Sequence, residues 1–267
     1  RGFIPKLNYR ISNDMFNKGL TIMEIENHVQ TGEDGSLNEV QRPVFVRESK
    51  GKNVFMHSLS GSLRAYAVQA TPNSAVYPRW GIGVETGASG SIESSSLLSP
   101  MGYFYTYGYV PGIMREHGIK LTAISQFKLN RNAVFGQNAV NILPRGLAAN
   151  GSLTSWLAIR NSVMSKITAD YALPIYIGDL SIGGSMFSIK RLVLTPHFDW
   201  TFFGKNSLWS AGTDLVLDMH SILTLEWPCS FGVTFSYNGG PAFNSLATES
   251  GITLDSWHVG PTFNVSF

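Results

Sequence analysis

Residues Ser256–Phe267 read SWHVGPTFNVSF, and their alternation decides how the rest of the chain is to be taken. Trp257, Val259, Pro261, Phe263, Val265 and Phe267 share one parity, while His258, Gly260, Thr262, Asn264 and Ser266 share the other. Side chains on a strand point alternately to its two faces, so this is a strand with one apolar and one polar face. In a water-soluble sheet the apolar face packs on a core. In an outer-membrane barrel it meets lipid, and the polar face lines a lumen.

Working outward, the same alternation recurs along the chain. It runs through Phe3–Ser12, Val54–Gln69, Trp80–Ile92, Tyr103–Tyr109, Ile119–Leu129, Lys166–Ile175, Ile189–Phe203, Trp209–His220 and Leu225–Asn238. With the terminal stretch this predicts about ten antiparallel strands, each roughly 10 to 15 residues long, the length of tilted membrane spans. Soluble sandwiches use strands of about five or six residues. The polar parities carry Asp170, Arg191, Asp199, Asp214, Asp218 and Glu226, which are costly in a dry core and stable against water. Small residues opposite Trp80, Ile82 and Val84, among them Gly81, Gly83 and Gly87, are expected to leave open space inside. Trp and Tyr on the apolar faces are expected to anchor at the membrane interface.

Composition agrees. Charged residues make up 14% of the chain, against about 25% in soluble domains. Mean hydropathy is +0.03 and no run of about 18 apolar residues exists, which argues against a transmembrane helix. A closed sheet is the other way to satisfy every backbone group in lipid. The net charge of +2, without Lys/Arg runs, points away from nucleic acid. The lone Cys229 excludes a disulfide scaffold. The chain opens on Arg1-Gly2-Phe3 already in alternation, so either a removed leader or an upstream portion is expected before it.

Residues 1–267 therefore read as one β-barrel domain. Segments 13–53, 130–164 and 239–255 lose the alternation and are expected to be long external loops, the first with room for a hairpin or helix of its own. Thr71–Pro78, Val110–Gly118 and Ser221-Ile222 are expected to be short turns on the periplasmic side, and Gly178–Ser188 a longer one.

The block from Leu143 onward resembles the C-terminal portion of the surface-antigen family, the BamA- and TamA-type barrels. Arg145-Gly146-Leu147 is similar to that family's Arg-Gly-aromatic loop motif, and five strands follow it. Ala169-Asp170-Tyr171-Ala172-Leu173-Pro174 is similar to the acidic-aromatic-Leu-Pro strand after the loop. His197-Phe198-Asp199-Trp200-Thr201 falls where the family carries an inward Asp that holds the loop Arg. Leu147 stands in place of the aromatic, His197 in place of Phe or Gly, and Thr201 in place of Gly. The resemblance implies a sixteen-stranded barrel of which this chain is the last ten strands. It further implies a non-enzymatic outer-membrane protein of polypeptide insertion, export or surface assembly, in which Arg145, Gly146 and Asp199 lock the loop inside the lumen. Gly260, Phe263, Val265 and Phe267 resemble the signal read by the barrel-assembly machinery. Expected partners are outer-membrane lipid and lipopolysaccharide, that machinery, and envelope proteins or an upstream periplasmic domain. Tyr107-Gly108-Tyr109-Val110-Pro111-Gly112 is similar to propeller-fused barrels of Bacteroidetes-like bacteria. A passive or substrate-selective pore, an outer-membrane enzyme and a structural subunit of an envelope complex are the rival readings.

No catalytic or cofactor motif competes with this. His28, His57, His117, His197, His220 and His258 lack metal-ligand spacing, no G-x-S-x-G elbow is present, and Gly81-Ile82-Gly83 misses the dinucleotide spacing. No cofactor and no metal are expected.

Overall fold

The computed structural model describes residues 1–13, 21–31, 37–48, 55–71, 75–91, 101–129, 142–148, 150–183, 187–222 and 229–265. The strands are β1 (Gly2–Asn13), β2 (Thr21–Thr31), β3 (Leu37–Glu48), β4 (Phe55–Val68), β5 (Gly81–Ser91) and β6 (Met101–Pro111). They continue as β7 (Gly118–Lys128), β8 (Val163–Ile182), β9 (Phe187–Phe203), β10 (Asn206–Ile222), β11 (Cys229–Gly239) and β12 (Trp257–Val265). Two helices, α1 (Gly151–Arg160) and α2 (Phe243–Ser250), and a 3₁₀ turn at Arg145–Leu147 complete the structure.

Ten strands form one antiparallel sheet in the order β1-β4-β5-β6-β7-β8-β9-β10-β11-β12. They are the ten runs of alternation in the sequence. Among the described residues no strand pairs with the outer side of β1 or of β12, so the sheet is open. β2 and β3 form a separate hairpin, which is why β1 pairs β4. Segment 13–53 thus contains the paired strands β2 and β3.

The two faces of the sheet differ in burial. Phe3, Leu7, Leu63, Ile82, Leu121, Ile167, Trp200, Phe231, Phe235 and Trp257 stand exposed on the apolar parity. Lys166, Thr168, Asp170, Thr195, His197, Asp199, Thr201, Ser210, Thr234, Ser236 and Asn238 are buried on the other. Each exposed large apolar side chain forgoes about 1.5–3 kcal/mol of burial.

Apolar burial is concentrated instead at one end of the sheet. Connections β9–β10 and β11–β12 and the described part of β7–β8 meet there. Ile142, Leu143, Leu147, Leu153, Leu157, Ala242 and Leu246 pack on Met101, Ile124, Met164, Phe203 and Leu208 of the strand ends. This small core caps the polar face. The expected loop 130–164 contains α1, begun by the Asn150 side chain accepting from Leu153 N–H and fixed by buried Leu153 and Leu157 one turn apart. The expected loop 239–255 contains α2, which buries Leu246 and ends at Gly251 with φ 64°.

Further expectations need correction: Ser221-Ile222, expected as a turn, is the paired end of β10. Gly178–Ser188 is mostly strand: β8 continues to Ile182 and β9 starts at Phe187, with register shifts near Tyr176 and Leu180 absorbing Gly178 and Asp179. The row Tyr103, Tyr105, Tyr107 and Tyr109, expected to share a face, does so on the polar side with Glu85 and Arg64 and not on the apolar one. Nor do the glycines opposite them leave open space. A Cβ on Gly83 would fall 2.2 Å from Cζ of Tyr107, so the glycine is the seat of that ring. Arg64 donates to the Tyr107 hydroxyl at 3.1 Å, and the Tyr103 hydroxyl donates to Glu85 at 2.8 Å. The strand start expected at Leu225 lies outside the described residues, and β11 is described from Cys229.

Candidate functional site

The site is built where the capped end of the polar face meets the segment before α1. Register puts the acids together. Asp199 of β9 lies level with Thr168 of β8 and Ser210 of β10, and His197 lies level with Asp170 and Gly212. Lys166, Asp170, His197, Asp199 and Asp214 thereby share one face of three adjacent strands. The connecting segment is tied down over them. The Thr201 hydroxyl donates to the Ile142 carbonyl at 2.6 Å, and Lys166 Nζ donates to that of Leu143 at 2.8 Å.

These two bonds aim Arg145 at the acids. Its backbone N–H donates to Asp199 Oδ2 at 2.8 Å, its Nε to the same oxygen at 3.2 Å, and its Nη2 to Asp199 Oδ1 at 3.1 Å. The guanidinium therefore grips both carboxylate oxygens, the fork geometry that lysine cannot reproduce. Nη1 reaches Asp214 Oδ2 at 3.1 Å, and Nη2 also donates to Asp170. Asp199, whose side chain is 0% exposed, receives Lys166 Nζ at 3.3 Å as well. Burial alone would push the Arg145 pKa down; Asp199 and Asp170 more than reverse that and hold it above its ordinary value. Arg145 stays cationic.

Gly146 is required by close approach. A Cβ there would sit 2.1 Å from Oδ1 of Asn238, whose Nδ2 donates to the Asp255 carbonyl at 3.0 Å and ties the turn to the segment before β12. Leu147, where the resembled motif has an aromatic, is buried in the apolar cap. Thr201, in place of Gly, makes the bond to Ile142. His197 makes two contacts, Nε2 with Ser236 Oγ at 3.3 Å and Nδ1 with Asp214 Oδ2 at 3.4 Å. Gly212 lets it pass, since a Cβ there would fall 2.9 Å from His197 Nε2.

Asp214, His197 and Ser236 stand in the order of a nucleophilic relay, but Ser236 is 2% exposed and its hydroxyl is closed to a substrate in this packing. Among the described residues no group of three His, Cys, Asp or Glu side chains could hold a metal. Arg145 occupies the centre of the three aspartates.

The structure thus brings Arg145, Gly146 and Asp199 together and adds Lys166, Asp170, Asp214, His197 and Thr234, the last donating to Asp214 Oδ1 at 2.7 Å. The shared polar parity was the sequence signal for them, though nothing in it ranks these acids above Asp218. Of the terminal motif, Gly260 lines a cleft of about 290 Å³ beside Arg145, Asp214 and His258. Phe263 is 63% exposed and packs on Phe231 with ring centroids 4.8 Å apart. Val265 lies level with Cys229, and Phe267 is outside the described residues.

The fold and site define a class: an all-β chain whose antiparallel sheet exposes its apolar face and pins a loop arginine on its polar one. No family model matches the chain, and no curated protein or solved structure matches it. Among the described residues no helix is long and apolar enough to cross a membrane.

Proposed function

We propose that this chain is part of an outer-membrane β-barrel that serves polypeptide insertion, export or surface assembly, its apolar face toward lipid and its polar face toward a lumen. One observation carries the membrane part: exposed Phe, Leu, Ile and Trp on one side of the ten-stranded sheet, and buried Asp, Lys, His and Thr on the other side of β7 to β11. Lipid is the solvent that rewards the first, and a watered interior tolerates the second. The barrel closes with strands beyond the ten described, and the capped end faces outward.

The transport part rests on the resemblance to surface-antigen barrels together with the Arg145 anchorage. A loop held by a carboxylate on both oxygens and sealed by a leucine-rich cap obstructs the end it covers, which suits a gated assembly device better than a standing pore. The test uses the full-length protein. In vesicles containing brominated lipid, Trp80, Trp200 and Trp257 fluorescence is expected to be quenched; unquenched emission sinks the membrane reading. In planar bilayers the wild type is expected to be closed or to flicker, and Asp199→Asn to open. A steady ohmic current through the wild type replaces the assembly device with a passive or selective pore.

A further inference from the structure

β8 and β7 part company abruptly. Their ladder ends at Gly118 opposite Ala172, yet β8 runs on to Ile182 with β9 as its partner on the other side. β8 has 20 residues where β7 has 11. From Leu173 to Ile182, among the described residues, nothing pairs with the edge that β7 leaves. At about 3.3 Å per residue this free edge is roughly 30 Å long.

The side chains along it are unusual for an open edge. Ile175 is 59% exposed, and Tyr176, Ile177, Leu180 and Ile182 are exposed too. Tyr176 lies level with Leu192 and Ile177 with Arg191, so apolar groups occur on both faces. Folded proteins blunt such edges with charge, proline and bulges; here Asp179 is the one charged residue, and the two register shifts bend the edge without covering it. Pro174 removes a single donor.

We propose that Leu173–Ile182 is a β-augmentation site which takes up an extended, apolar-rich segment of a partner polypeptide as a strand continuing the line of β7. The unpaired edge is a row of main-chain donors and acceptors, bent at the two register shifts near Ile175 and Gly178, and another main chain is the chemistry that satisfies it. Lipid offers neither. The ladder between β7 and β8 sets the line that the incoming strand prolongs. The turn Gly112–His117 closes the inner end of this slot, docked through the Tyr171 hydroxyl, which accepts from Ile113 N–H at 3.2 Å and meets His117 Nδ1 at 2.9 Å. A single segment enters from the free end. Two copies joined edge to edge in antiparallel fashion would each bring the Ile182 end of β8 against the other's Gly112–His117 turn, which favours the partner segment over a second copy.

The test needs a model strand, and β9 supplies one, because Phe187–Leu194 already pairs with the opposite edge of the same stretch. A fluorescein-labelled peptide FSIKRLVL is titrated into the purified full-length protein in detergent and followed by anisotropy. Saturable binding is expected, lost when alternate peptide amides are N-methylated and at least tenfold weaker with Ile175→Lys/Ile177→Lys. Both positions are exposed, and unchanged amide protection at Arg145–Leu157 verifies that the variant has folded. Absence of saturable binding, or binding indifferent to N-methylation, overturns the proposal. A concentration-dependent dimer that the same double substitution abolishes gives the edge to a second copy and equally overturns it.

Discussion

Replacing Asp199 with Asn removes one charge at nearly constant shape, and the consequence can be worked out atom by atom. In the wild type Asp199 Oδ2 accepts from Arg145 N–H at 2.8 Å and Nε at 3.2 Å and faces Lys166 Nζ at 3.3 Å, while Oδ1 accepts from Arg145 Nη2 at 3.1 Å. An asparagine must place its NH₂ at one of these two oxygens. Set at Oδ2 it confronts three donors; set at Oδ1 it confronts one. Even the better choice loses a hydrogen bond, weakens the remaining ones by removing their charge, and points a donor at a donor. Breaking a buried charge pair costs about 3–5 kcal/mol. Asp170 and Asp214 still hold Arg145 through Nη2 and Nη1, so the lower end of that range applies. At about 1.4 kcal/mol per factor of ten, opening of the loop becomes roughly a hundredfold more frequent. Hydrogen exchange read by mass spectrometry over Leu143–Leu157 measures this directly, and trypsin cleavage after Arg145 gives a second reading. Asp218→Asn is the control: it deprives Arg191 of a carboxylate in a separate ion pair and leaves the loop's contacts alone. Exchange in Asp199→Asn within twofold of the wild type, or equal acceleration in Asp218→Asn, would refute the assignment of Asp199 as the loop's anchor.

Other consequences follow from the same geometry. Gly146→Ala drives a methyl to within 2.1 Å of Asn238 Oδ1, and overpacking of this kind costs about 1–3 kcal/mol, so faster loop exchange is expected and is to be relieved in Gly146→Ala/Asn238→Ala. Leu157→Ala opens a cavity in the cap at a cost of about 2–5 kcal/mol; loss of α1 protection without loss of strand protection is the expected pattern. Phe231→Arg places a charge on the apolar face. If that face meets lipid the penalty is about 2–4 kcal/mol, readable as lower yield of heat-modifiable folded protein in vesicles, whereas an unaffected yield argues against lipid contact.

How much of this was legible beforehand differs by level. The ten strands and their two faces follow from local alternation, because a strand's side-chain period is two and each run can be read without its neighbours. The extension of β8 through Gly178 and Asp179 was hidden, since register shifts let a strand carry residues that read as a turn. The tyrosine row was legible as a row but not as an inward one. Its direction depends on the glycines of β5, which lie on a different strand and make room for the rings.

By itself the sequence determined that the chain is a set of amphipathic antiparallel strands, with an Arg-Gly turn preceding a strand that carries Asp199. Tertiary structure decided which acids meet. Asp170, Asp199 and Asp214 converge on one guanidinium because the registers of β8, β9 and β10 place them on neighbouring rows of the same face, and register is a relation between strands that no single strand encodes. The leucines of the 142–157 segment likewise read as irregular until the strand ends gathered around them; helices α1 and α2 are stabilised mainly by the apolar surface they cover there, which exists only once the sheet has formed.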